Sequence, residues 1–148
     1  MSNIAVPLIL IDLNGDGFHL LVELRAFGKK HLAVIDTGAS RSVFDKNFIQ
    51  EHIQEAEELD AVQTVTLFTT SSSIHGLIPK FKIGKLPIKN YPVVALDLDS
   101  VNDAYEKHGH PRIVAILGGD IFYNHQAKIS YKKMKIYFSS KPIFAWPG

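Results

Sequence analysis

The chain has 148 residues, 46 % of them hydrophobic, with 16 basic and 15 acidic side chains and a formal net charge of +1. That length and apolar content suit one domain, Met1 to Gly148, with a core of its own, and the near-neutral balance excludes a polybasic nucleic-acid surface or an acidic tail. The absence of cysteine excludes disulfides and thiolate metal sites and suits a reducing compartment.

From Met1 to Leu13 the sequence is apolar but lacks a basic n-region and is broken by Pro7, so it does not read as a signal peptide. No apolar stretch is long enough to span a bilayer as a helix. The expectation is a cytoplasmic protein with neither membrane nor nucleic acid as partner.

Taken in order, the elements are mostly short β runs separated by turn residues. Pro7 to Leu13 leads into the turn signal Asn14-Gly15-Asp16-Gly17. Phe18 to Phe27 follows, then a turn at Gly28-Lys29-Lys30, and His31 to Ile35 enters Asp36. The apolar residues between Phe44 and Leu59 fall near helical spacing, with Asp45 placed to favour the helix N-terminus, which predicts a helix over about 44–59. Val62 to Phe68, the polar cluster Thr69 to Ser73 and Ile74-His75-Gly76 come next. Strands are expected at Leu77 to Ile83 and Pro87 to Leu96, with a short helical insert at about 100–107. Ile113 to Leu117 reads as a buried strand ending in Gly118-Gly119-Asp120. Strands at Ala127 to Tyr131 and Lys135 to Phe138 close the series. Lys141 to Gly148, with Pro142 and Pro147, is not expected to be helical.

The chemistry is concentrated in Ala33-Val34-Ile35-Asp36-Thr37-Gly38-Ala39-Ser40. An apolar strand running into Asp-Thr-Gly puts a carboxylate at a strand end, on a turn whose glycine lets another backbone approach. The second element is the apolar run Ile116-Leu117-Gly118. Together these motifs resemble the retropepsin-like aspartic peptidases, the retroviral protease group and its cellular and bacterial relatives. The resemblance spans roughly Pro7 to Phe138. It implies a mainly β fold, a retropepsin-like acid-protease barrel, with the helices at 44–59 and 100–107 as additions.

It also implies a catalytic role for Asp36, with Thr37, Gly38, Ala39, Ser40, Leu117 and Gly118 supporting it. Thr37 would brace two such turns against each other, Gly38 would give an N–H to the carboxylates, and Ser40 would hydrogen-bond Asp36. A flap hairpin would fall near Thr66 to Lys80, with Ile74, His75 and Gly76 touching substrate. Hydrolysis of a peptide by this route needs two carboxylates sharing one proton. The chain holds a single Asp-[Ser/Thr]-Gly, so the second must come from Asp36 of another copy across a two-fold axis. A homodimer acting on a peptide or protein substrate is therefore implied, with no cofactor and no metal. The alternative is the same fold kept as a catalytically silent, dimeric peptide-binding or assembly module.

Other signals weigh less. Asp12, Asn14, Asp16, Gly17 and Glu23 match the EF-hand loop pattern, but strand formers flank them where helices are required. His108-Gly109-His110 lacks metal partners at recognisable spacing and reads as two loop histidines. Asp120 is read as the N-cap of a following helical turn. Asp97 and Asp99 are read as lining a solvated loop, and the C-terminal residues as candidates for a dimer interface.

Overall fold

The computed structural model describes residues 3–53, 57–59 and 73–146. Eleven strands and three short helices occupy them. The expected strand at Val62 to Phe68, the polar cluster up to Ser72 and the first part of the expected flap lie outside the described residues.

Strands β1 (Asn3–Pro7), β10 (Lys128–Ser130) and β11 (Lys135–Ser139) make one small antiparallel sheet in the order β1-β11-β10. The larger sheet takes in β2 (Ile9–Asp12), β3 (Phe18–Ala26), β4 (Lys29–Ile35), β5 (Val43–Asp45), β6 (Glu57–Leu59), β7 (Ser73–Ile83), β8 (Leu86–Leu96) and β9 (Ala115–Leu117). Its order is β2-β3-β4-β9-β5-β8-β7-β6. A further pairing of Leu24 with Ile83 and Arg25 with Lys82 joins β3 to β7. That contact closes β3, β4, β9, β5, β8 and β7 into a six-stranded barrel. The fold is the mainly β barrel expected.

The run Leu20-Leu21-Val22 is buried throughout because β3 is covered on both faces there, whereas along β7 the buried Phe81 and Ile83 alternate with Lys80 and Lys82. Along β3, Leu20, Val22, Leu24 and Ala26 point into the main core with Phe44, Phe81 and Tyr91. Leu21 points the other way, into a second cluster with Ile11, Val34, Tyr105 and Ile113. Burying one such side chain fully stabilises by about 1.5–3 kcal/mol. The second cluster is roofed by α2 (Asp99–Lys107), the predicted insert, whose Tyr105 is only 2 % exposed. Between β3 and β4 the chain reverses in two residues, Phe27 and Gly28, both at positive φ (53° and 76°). That is the hairpin geometry whose twist matches the strands, and glycine adopts it at little cost.

The long helix expected over 44–59 is a correction. Helix α1 spans only Lys46–His52. Asp45 is its N-cap, accepting the Phe48 N–H as anticipated. Before it, Val43–Asp45 pair with β9 and β8, and after it Glu57–Leu59 pair with Ser73–His75. Strand pairing within the larger sheet overrides the local helical spacing at both ends. Helix α3 (Gly119–Asn124) follows β9 directly. No described helix is long and apolar enough to cross a membrane.

Candidate active site

The site begins with a parallel ladder. β4 and β9 pair in register at Ala33 with Ala115, Val34 with Ile116 and Ile35 with Leu117. The Asp36 N–H extends the ladder by donating to the Leu117 carbonyl at 2.9 Å. Past that point the chain turns, with the Ala39 N–H donating to the Asp36 carbonyl at 3.1 Å. The Gly38 N–H donates to Asp36 Oδ1 at 3.0 Å, fixing one carboxylate oxygen. Asp36, Thr37, Gly38 and Ser40 are exposed, and Ala39 is half-buried.

The segment Gly118-Gly119-Asp120 runs beneath this turn. Gly119 N–H donates to the Ala39 carbonyl at 2.7 Å, and Asp120 N–H to the Ser40 carbonyl at 3.1 Å. A β-carbon on Gly118 would meet the Ala39 oxygen at 2.5 Å, so no other residue fits that crossing without displacing the turn. Leu117 and Gly118 thus support Asp36 through backbone contact. In the single chain, Ser40 contributes its carbonyl, and Asp36 is held by Gly38.

The expected N-cap role of Asp120 is a correction. Gly118 occupies the cap position of α3 and Asp120 lies within the first turn. Its carboxylate accepts from the Ser42 N–H (2.8 Å), the Ser42 hydroxyl (2.7 Å) and the Tyr91 hydroxyl (2.6 Å). Burial, reinforced by the Asp120 charge, pushes the Tyr91 phenol far above its ordinary pKa. No sequence signal pointed to this network, because its members are 78 and 29 residues apart.

Tyr105 lies on the other side. Burial and then the negative charge of Asp36 push its phenol up to about 12. Its hydroxyl shares a 2.7 Å hydrogen bond with His19 Nδ1. The two loop histidines also dock on the β2–β3 hairpin: His108 Nδ1 meets Asn14 Nδ2 at 2.8 Å, and His110 Nε2 meets the Asp12 carbonyl at 2.6 Å.

Ile74, His75 and Gly76 lie inside strand β7, paired with β8 at Ala95, Val94 and Val93. Ile74 is 2 % exposed and belongs to the main core. His75 Nε2 meets Ser73 Oγ at 3.0 Å. Gly76 is therefore a residue of the β7–β8 ladder.

The EF-hand pattern falls on a strand–turn–strand unit. Asp12 Oδ1 accepts the Asn14 N–H at 2.9 Å, and Glu23, in mid-strand, pairs with Lys30 at 3.4 Å. Asp45, Asp97 and Asp99 have carboxylate oxygens within 4.8 Å of one another. Main-chain groups already hold two of them, since Asp45 accepts from Phe48 and Leu98 and Asp97 from Asp99. A cleft of about 540 Å³ between α2 and β4, lined by His31, Leu32, Asn102 and Arg112, does not include Asp36.

The sequence pattern of the family described as aspartyl protease matches residues 22–121. Among solved structures, the chain is similar to a retropepsin-like aspartic protease from Rickettsia conorii, with 18 % identity, a TM-score of 0.55, and 93 % of this chain and 92 % of that one covered. It is also similar to the retroviral protease-like domain of Ddi1 from Leishmania major, at 15 % identity and a TM-score of 0.54, covering 87 % and 94 %. No curated protein matches it. A barrel of this topology, the Asp36 turn crossed by Gly118 and the matching pattern agree: the chain belongs to the retropepsin-like aspartic protease family.

Proposed function

We propose that the protein is a homodimeric aspartic endopeptidase in which each subunit gives Asp36 to a shared pair of carboxylates. The observation that carries this reading is the exposed Asp36 turn, with one carboxylate oxygen held by Gly38 and the other left for a partner or substrate. One Asp-Thr-Gly in the chain makes half a site, so a second copy completes it.

In the dimer the ionised member of the pair takes a proton from water, which attacks the scissile carbonyl. The protonated member donates to that carbonyl oxygen, and the amine leaves with a proton returned from the pair. Thr37 braces the two turns across the dyad, and Ala39 and Ser40 continue each turn. An extended peptide lies across the paired Asp36 turns, held by main-chain pairing. The cysteine-free chain suits action in the cytoplasm.

The test is cleavage of a peptide library from acidic to neutral pH by the wild type and by Asp36→Asn. Cutting by the wild type that the variant loses supports the reading. A dimer that binds peptides and cuts none at any pH would make the protein a silent peptide-binding module instead.

A further inference from the structure

The strand carrying Asp36 and the strand crossing beneath it are locked together at two ends. At the near end stand the bonds Asp36 N–H to Leu117 and Gly119 N–H to Ala39. At the far end stands a side-chain cluster six residues on from Asp36. Ser42, with no solvent exposure, accepts the Gly118 N–H on its hydroxyl at 2.8 Å and donates that hydroxyl to Asp120 Oδ1. Its N–H goes to the same oxygen. The fully buried Tyr91 takes Asp120 Oδ2. Next to Tyr91, the Pro92 carbonyl accepts from Arg41 Nη2 at 2.8 Å, so β8 holds both Asp120 and the exit of the turn.

The C-terminal segment covers this cluster. Asn124 bonds both the N–H (2.9 Å) and the carbonyl (3.1 Å) of Phe144, and Trp146 stands edge-on to Tyr91 with ring centres 5.1 Å apart. Trp146 thus packs on the ring whose hydroxyl donates to Asp120, a charge-assisted bond of the stronger kind.

We propose that Asp120, through Ser42 and Tyr91, is a positioning residue that sets where Asp36 stands relative to its partner copy. It touches no substrate. Its effect on rate arises because a displacement of a reacting group by about 1 Å can cost about a hundredfold in turnover. The activity arm of the test rests on the peptidase reading above; the exchange arm does not.

The test compares full-length wild type, Asp120→Ala, Asp120→Asn and Tyr91→Phe by residue-resolved amide hydrogen exchange and by steady-state kinetics. Asparagine keeps an acceptor for both Ser42 donors and can donate to the Tyr91 oxygen, so it preserves the clasp. Tyr91→Phe keeps the ring and removes one bond, which makes it the informative variant if Asp120→Ala does not fold. Exchange at Ala39, Ser42, Gly118 and Gly119 is expected to rise about tenfold in Asp120→Ala and Tyr91→Phe, with β3 still protected and Asp120→Asn close to wild type. Turnover (kcat) is expected to fall about tenfold in the same two variants, with KM changed less than about twofold. Unchanged exchange at those amides, an equal rise across the whole barrel, or an unchanged kcat would overturn the proposal. If the wild type cuts nothing, the peptidase reading fails and exchange alone judges the clasp.

Discussion

Gly118 and Ala39 cross with no room for a side chain between them: a β-carbon on Gly118 would lie 2.5 Å from the Ala39 carbonyl oxygen and 3.0 Å from the Ala39 Cβ. One hydrogen atom at Gly118 therefore decides how closely β9 can pass under the turn that presents Asp36.

Gly118→Ala should accordingly destabilise the fold by about 1–3 kcal/mol, the usual cost of forcing a methyl group into a packed contact. Gly119→Ala is the control, since a β-carbon there would sit 3.5 Å from its nearest atoms, an ordinary contact. Its change should stay within about 0.5 kcal/mol. Urea unfolding of the two variants checks the contrast, and equal losses would contradict the crossing geometry.

Asn102 on α2 is 1 % exposed and spends its whole amide on one residue. Nδ2 donates to the Ile113 carbonyl at 3.1 Å, and Oδ1 accepts the Ile113 N–H at 2.7 Å. The pair pins the helical insert to the chain entering β9. Asn102→Ala leaves a buried N–H and a buried carbonyl unmatched, for an expected loss of about 2–4 kcal/mol. Asn102→Asp should also cost stability, because it keeps the acceptor and loses the donor. Chemical denaturation of both variants measures this.

His31 gives the fold a dependence on pH. Burial holds its imidazole below the ordinary histidine value of 6.5; a backbone bond at Ala26 opposes this, and the positive charges of His52 and Lys29 add to it. Below that value the unfolded chain binds a proton that the folded protein resists, so stability rises with pH across the interval. The contribution is complete above 6.5 and is lost as pH falls through the lower folded value. In His31→Phe, which keeps a ring against Phe48, the decline of melting temperature on mild acidification should be shallower than in the wild type. Parallel curves would exclude His31 as the cause.

Much of the barrel was legible because its strands are bounded by turn residues and its apolar runs are long. The Asp36 turn and its crossing strand were legible because each follows a short apolar run and meets a glycine. The helical spacing runs past α1 because Phe44, Phe48, Ile49 and Ile53 share a stripe, while the strand partners of Val43–Asp45 and Glu57–Leu59 are distant in sequence. Gly76 follows a Ser/Thr cluster that reads locally as a turn, yet in β7 it faces Val93 within a ladder. The roles of Asp120, Ser42 and Tyr91 left no local trace, since a side-chain hydrogen bond between distant strands follows no sequence period.

The central claim is that one active site needs Asp36 from two copies, and mixing subunits tests it most directly. Wild type and Asp36→Asn are combined at varied ratios, allowed to exchange subunits, and assayed for peptide cleavage at constant total protein. If both carboxylates are required, activity follows the square of the wild-type fraction, and an equimolar mixture keeps about a quarter of the full rate. Activity that falls in simple proportion to the wild-type fraction would mean that each chain works alone, and would contradict the shared site.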